Sequence, residues 1–187
     1  MSKKISILDA LFVGVLLVIF GGVVLHAPFS VGLTSLFPQH ELLIKSWKEV
    51  LLGVALVLAA VALTRHKQWS LLKDKFVYVI AAFGILNLLL IPLFNTGFES
   101  IIAGLFINLR FLLFFVLVYI AVRLYPRAYR PFMLTFAGGA LLVTVFAILQ
   151  VTVLPNDILK YIGYNESTIM PFLTVDENIN YIRINST

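Results

Sequence analysis

One arginine stands in the middle of a long apolar run and is the residue best placed to do chemistry. Arg110 lies within Asn108–Phe115, a stretch made mostly of Leu and Phe. A charge at the centre of a membrane-spanning helix costs about 2.5–3.5 kcal/mol to insert, so its side chain must face protein or water. The planar guanidinium matches the geometry of phosphate oxygens. Arg110 is therefore either an outward-facing anion site or a polar contact between helices, and the sequence leaves both open.

Asn87 is predicted to lie at the same depth as Arg110. Counted from the inner ends of their runs at a rise of 1.5 Å per residue, Asn87 is about 16 Å and Arg110 about 18 Å into the membrane. A short connection joins the two runs, so the helices that carry these residues are antiparallel neighbours. We expect a contact between the two side chains, with Asn87 as the structural partner of the arginine.

Lys48 is a second candidate for binding an anion. It lies at the expected start of a helix on the outer side, where the helix dipole already favours negative charge. Contact of the lysine with lipid phosphate is the alternative. Glu49 stands three residues after Ser46, and this spacing predicts a capping box that begins the helix.

Arg183, near the end of the chain, lies close to Asp176 and Glu177, and this arrangement is typical of an ordinary solvated ion pair. The three histidines, His26, His40 and His66, stand at no metal-ligand spacing. The sequence also has no phosphate-binding loop and no nucleophile–base motif. We therefore predict no catalytic residue, no metal and no cofactor within this chain.

The elements that position these residues must be membrane-spanning helices. Of the 187 residues, 61% are hydrophobic and 12% are charged. A soluble domain is roughly half apolar and about a quarter charged, so the composition excludes a soluble globular protein and a disordered chain. The long unbroken apolar runs also argue against an outer-membrane barrel, whose strands alternate apolar and polar residues. The predicted fold class is an all-α membrane protein.

Five runs are long and apolar enough to cross about 30 Å of hydrocarbon. They lie at roughly 7–25, 46–63, 76–94, 100–122 and 131–153. Nine of the fourteen Lys and Arg residues fall on the side of the N-terminus and four on the other. Because basic residues concentrate on the cytoplasmic side, we predict the N-terminus inside and the C-terminus outside. The net charge of +5 is thus explained by membrane topology and not by nucleic-acid binding.

Alternatives remain for both ends of the chain. The first run could be a signal peptide, but it is long for one and no small-residue cleavage site follows it, so an uncleaved span is favoured. Residues 1–154 are predicted to form the membrane region, with 27–45 along the outer interface, and 155–187 an extracytoplasmic segment. In that segment Asn156 or Asp157 is expected to cap a short helix that Gly163 ends. The β-prone stretch Tyr181–Thr187 has no closing turn, so we expect this chain to be the front part of a longer protein.

The order of these features resembles the N-terminal part of the O-antigen ligase/polymerase family of bacterial membrane proteins. The resemblance covers most of the chain. It rests on Trp47-Lys48-Glu49, the arginine-centred Leu109–Leu113, Phe136–Gly139 followed by Gln150, and the outer stretch Val175–Ile184.

This resemblance implies an enzyme of the inner, cytoplasmic membrane with about a dozen spans. Such enzymes transfer a glycan from a lipid pyrophosphate donor to an acceptor at the outer face, without nucleotide sugar or metal. Arginines near that face are thought to hold the pyrophosphate, and Arg110, Arg183 and more weakly Lys48 match them. The large outer loop with its basic histidine has no counterpart here, so the resemblance implies a piece that is inactive alone. Its implied partners are membrane lipid and the lipid-linked donor, with no nucleic acid.

Two other classes of protein stay open. A transporter or channel subunit would need polar residues along a path, and the spans contain few of them. A small non-enzymatic assembly protein would use Arg110 as a contact between helices. The small residues Gly138, Gly139 and Ala140 would then mark a packing face.

Overall fold

The computed structural model describes residues 6–90, 98–155, 157–165, 173–175 and 178–183. Its six α-helices are α1 (Ile7–Val24), α2 (His26–Leu36), α3 (Glu41–His66), α4 (Lys75–Leu90), α5 (Phe98–Leu124) and α6 (Tyr129–Thr152). Four short 3-10 helices occupy Pro38–His40, Trp69–Lys73, Pro126–Ala128 and Ile158–Ile162. A small hairpin follows, in which β1 (Leu173–Val175) pairs antiparallel with β2 (Asn178–Arg183). The predicted all-α class is confirmed for the membrane region.

Within the described residues, three helical segments are long and apolar enough to cross a membrane. They are Ile7–Val24, Pro38–His66 and Pro126–Thr152, and α4 is a shorter apolar helix. The chain is therefore a helical membrane protein. The count of five spans and the sides of the two termini stay predictions. The short connection between the third and fourth predicted runs and the end of the third run lie largely outside the described residues.

The predicted start of the second long helix was wrong. α3 begins at Glu41, five residues before the predicted start at Ser46. It directly follows a 3-10 turn that Pro38 opens, and the fixed φ of proline favours that turn. Ser46 is inside the helix and its hydroxyl donates to the carbonyl of Leu43 at 3.3 Å. The capping box does not form, and Lys48 does not lie at a helix terminus.

The described residues form two compact units. Those of unit 1 lie within 1–17 and 49–130, and those of unit 2 within 18–48 and 131–187. In unit 1, Phe12 and Leu16 of α1 are fully buried, and α3 buries small residues at helical spacing, Ala55, Ala59 and Ala62. Such small residues allow close helix packing in a membrane.

The start of α4 is fixed by an aspartate cap in unit 1. The backbone N–H of Phe76 donates to the carboxylate of Asp74 at 2.9 Å, as at a helix N-cap. A hydrogen bond from the Tyr119 hydroxyl, together with this cap, lowers the pKa of Asp74. α4 begins beside the last turns of α5, where the Phe76 and Tyr119 rings lie 5.0 Å apart.

In unit 2, glycines bring α1 and α6 close together. A Cβ on Gly21 would lie 3.2 Å from the Thr135 methyl, and a Cβ on Gly139 would lie 3.0 Å from the Val24 methyl. Gly138 faces open space. Of the small residues Gly138, Gly139 and Ala140, which were expected to mark a packing face, Gly139 packs against α1 of the same chain.

Gly163 ends the short helix Ile158–Ile162, as predicted, with a left-handed φ of 99°. Asp157 precedes this helix, but its side chain pairs with Lys160 and makes no cap hydrogen bond. Asn156 lies outside the described residues.

Replacing Gly163 by alanine should lower the free energy of unfolding. The left-handed conformation costs an L-residue about 1–2 kcal/mol. The new methyl would also lie 3.0 Å from the Ser35 side chain. Chemical unfolding in detergent measures the loss. Gly138→Ala, in a helix and in open space, is the matched control and should be neutral or slightly stabilising. Equal values for the two variants would contradict the strain at Gly163.

Candidate functional site

Arg110 is paired with a carboxylate on a neighbouring helix of unit 1. α5 places the guanidinium and α3 places Glu49, and Nη1 of Arg110 donates to Oε1 of Glu49. The side chains are 22% and 38% exposed, respectively. Arg110 also lies over the ring of Phe111, 5.1 Å from its centre. Pairing with the carboxylate offsets part of the cost of placing a charge on an otherwise apolar helix.

Asn87, predicted to contact Arg110, makes a hydrogen bond within its own helix, and its contact with Arg110 stays a prediction. Nδ2 of Asn87 donates to the backbone carbonyl of Phe83 on its own helix at 2.8 Å. In the part of the chain that the structure describes, Glu49 is the hydrogen-bond partner of Arg110. Sequence reasoning assigned Glu49 to a capping box and so missed this pair. An acid one turn inside an apolar run was the signal that could have found it.

The Glu49–Arg110 pair lies in an apolar groove of about 880 Å³ in unit 1. Aliphatic side chains of three helices line the groove: Leu52 and Leu56 of α3, Ile80 and Leu88 of α4, and Leu113 and Val116 of α5. Ligand sites commonly have about 300–1,000 Å³ and a few polar groups on an apolar lining. Glu49 and Arg110 are the charged residues among the described residues that line this groove. The groove therefore suits an amphiphile with an apolar chain and a polar head.

The polar end of the groove has unused hydrogen-bonding capacity. Oε2 of Glu49 is buried and makes no hydrogen bond within the described residues. Leaving a buried acceptor unsatisfied costs about 1–3 kcal/mol. Arg110 carries five N–H donors in a fork, and its hydrogen bond to Glu49 uses Nη1. The site can both donate to an anion and accept from an O–H or N–H.

Lys48 lies in unit 2, in contact with His26. Nζ of Lys48 contacts Nε2 of the imidazole. The indole N–H of Trp47 donates to Nδ1 of His26, and the hydroxyl of Ser30 lies at the same atom, each at 3.1 Å. A Cβ on Gly22 would lie 2.6 Å from the Trp47 ring, which packs directly over that glycine. The sequence indicated Lys48 as a candidate site residue but did not predict its contact with His26.

A third polar cluster, which sequence reasoning missed, surrounds Asp9 in unit 1. Asp9 is 4% exposed and accepts a hydrogen bond from the hydroxyl of Tyr125 at 2.8 Å. Nε2 of His66 and Nη1 of Arg65 lie 3.4 and 3.5 Å from the same oxygen. Ser6 and Asp9 exchange backbone-to-side-chain hydrogen bonds and cap the start of α1. Burial, together with the bond to Asp9, raises the pKa of Tyr125.

Arg183, the remaining predicted residue, lies in the hairpin that follows the helices. Its backbone lies in β2, where it is paired with Leu173, and its side chain is outside what the structure describes. Asp176 and Glu177, its predicted neighbours, also lie outside the described residues. Its predicted role in binding an anion stays a prediction.

The fold and the groove define the class of the protein, a helical membrane protein with an apolar groove that ends in an ion pair. Comparison of the chain with models of known protein families, with curated proteins and with solved structures found no match.

Proposed function

We propose that this chain is the front part of a multi-pass inner-membrane enzyme that transfers a glycan from a lipid pyrophosphate donor to an acceptor at the outer face. In this proposal the groove in unit 1 binds the lipid chain and Arg110 binds the pyrophosphate. The supporting observation is the position of Arg110 at the polar end of an apolar groove of about 880 Å³. The resemblance to O-antigen ligases and polymerases supplies the class of reaction.

The geometry also allows an anion to share Arg110 with Glu49. The ion pair uses Nη1, and the remaining N–H groups of the guanidinium can donate to phosphate oxygens. A pyrophosphate carries more negative charge than one carboxylate, so it competes well for the same cation. Arg110 would then stabilise the charge that develops on the pyrophosphate as it leaves.

We further propose five spans with the N-terminus in the cytoplasm. The Asp9 cluster joins the start of α1 to the ends of α3 and α5, through His66 and Tyr125. Asp74 before α4 bonds to Tyr119 near the end of α5. Helices that cross alternately bring these ends to one side. Most of the basic residues lie at the same ends, which makes this the cytoplasmic side.

A non-enzymatic assembly protein is the second candidate. The observation that favours it is the closed Glu49–Arg110 pair, which by itself explains why an arginine is tolerated at this depth. In this case Arg110 joins α3 to α5 and binds no ligand.

Binding of lipids to Arg110 variants separates the two candidates. We expect the whole 187-residue chain in nanodiscs to bind a polyprenyl pyrophosphate more tightly than the matching polyprenol. Arg110→Gln should weaken binding of the pyrophosphate lipid about tenfold or more, since a charge-assisted contact is lost. Binding of the alcohol should not change.

Arg123→Gln is the matched control, because Arg123 lies in the last turn of α5, away from the groove, over the Tyr119 ring. It should bind both lipids as the wild type does. If Arg110→Gln binds the pyrophosphate lipid as well as Arg123→Gln does, the enzymatic role of Arg110 is wrong and the assembly role is favoured.

A further inference from the structure

The buried oxygen of Glu49 marks a second subsite at the polar end of the groove. Oε1 of Glu49 accepts from Arg110, whereas Oε2 is buried and has no hydrogen-bond partner in the described residues. Buried polar atoms in native proteins nearly always have a partner. An acceptor without one, on a residue that lines a groove of ligand size, points to a donor that the ligand brings.

We propose that Glu49 recognises a hydroxyl or N–H group on the ligand head, next to the anionic group that Arg110 binds. A carboxylate accepts but does not donate, so Glu49 selects for a donor on the ligand. Arg110 donates but does not accept, so it selects for an acceptor. Together the two side chains define a head group that carries an anion and a neighbouring donor.

The carboxylate can reach such a donor without rearrangement of the helices. The terminal torsion of glutamate is broad, so a partial rotation of the carboxylate can turn Oε2 from its buried position toward the groove. The side chain is 38% exposed, so part of it is open to an incoming head group. One oxygen can keep the bond to Arg110 while the other meets the ligand.

This inference rests on the proposed function, because it concerns the same groove. Under that function the anion is the pyrophosphate and the neighbouring donor is a hydroxyl or an amide N–H of the first sugar. Glu49 is then a specificity-determining residue that separates the sugar-bearing donor lipid from the spent lipid pyrophosphate. A site built around a hydrogen bond rejects analogues that lack the group, because its own polar atom is then left unpaired.

The test compares two probes on the whole chain in nanodiscs, a polyprenyl pyrophosphate and the same lipid carrying one N-acetylhexosamine. The wild type should bind the sugar-bearing lipid about tenfold more tightly than the bare one, the effect of one hydrogen bond to a charged group. Glu49→Gln should bring this ratio close to one, because the amide N–H groups face the ligand donor. It should also tighten binding of the bare pyrophosphate lipid, because Arg110 is no longer neutralised.

Two further variants keep the outcome clear. Glu49→Asp retains the charge one methylene further back and should lower the ratio only in part, which covers the case where Glu49→Gln folds poorly. Glu41→Gln removes an exposed glutamate of the same helix, paired with Lys45, and should leave the ratio unchanged.

The results distinguish failure of the inference from failure of the proposed function. An unchanged ratio in Glu49→Gln and Glu49→Asp, with binding that still depends on Arg110, overturns the role of Glu49 alone. Binding of both pyrophosphate lipids no tighter than that of the polyprenol overturns the proposed function and this inference with it.

Discussion

Replacing Asp9 by alanine is expected to lower the free energy of unfolding by about 2–3 kcal/mol, because hydrogen bonds to a buried carboxylate are lost. Asp9 is 4% exposed, and it accepts from Tyr125 and from the backbone of Ser6. Without the carboxylate, the buried hydroxyl of Tyr125 loses its 2.8 Å hydrogen bond to Asp9 and keeps the longer contact with Nε2 of His66 at 3.2 Å. Arg65 loses its nearby anion. The start of α1 also loses half of its cap.

Graded variants test this prediction by SDS-induced unfolding in detergent micelles. Tyr125→Phe removes one hydrogen bond and should cost less, about 1–2 kcal/mol. Asp157→Ala is the control, because that side chain is 34% exposed and pairs with Lys160 three residues along the chain, so little loss is expected. A loss for Asp9→Ala no larger than that for Asp157→Ala would show that the cluster does not hold the helix ends together.

Removing either partner of the Glu49–Arg110 pair should destabilise the protein more than removing both. Arg110→Leu leaves a carboxylate, and Glu49→Leu a guanidinium, uncompensated in an apolar groove. Because the side chains are 22% and 38% exposed, we expect about 2–3 kcal/mol for each, below the range for fully buried pairs. The double variant should recover a coupling energy of about 1–3 kcal/mol.

A double-mutant cycle measured by the same unfolding assay checks this expectation. Strictly additive losses would mean that the pair contributes nothing beyond its two side chains. The cycle also complements the binding experiments. A double variant that is stable yet no longer prefers the pyrophosphate lipid would show that the charges serve the ligand and are not needed for the fold.

Much of the fold could be predicted because the thickness of the bilayer sets the length of the apolar runs that cross it. The first helix, predicted at 7–25, is observed at Ile7–Val24, and the last, predicted at 131–153, is observed at Tyr129–Thr152. The start of α3 could not be predicted from apolar character. It is set by Pro38 and by the charged turn Glu41–Lys45, neither of which belongs to the hydrophobic pattern.

The sites were harder to predict, because their members are far apart in the chain. Arg110 was identified from the cost of a charge in the membrane. Its partner Glu49 lies 61 residues away in the sequence, and a capping box with Ser46 already explained it. Asp9 was missed because it lies in an otherwise apolar run, and its partner Tyr125 is 116 residues distant. The predicted neighbours α4 and α5 do pack together, with Gly84 against Leu109 and Leu112, but a depth argument does not show that an acid on α3 also reaches Arg110.

Because Trp47 packs over Gly22, a change at this apolar position of α1 would affect a hydrogen bond made by the indole. The indole lies so close that a Cβ at position 22 would come within 2.6 Å of it. The same indole donates to His26 at 3.1 Å. A single methyl at position 22 would therefore tilt the ring and withdraw a proton donor from an imidazole on another helix. Steric bulk at position 22 of α1 would thus remove a hydrogen bond that joins α3 to α2.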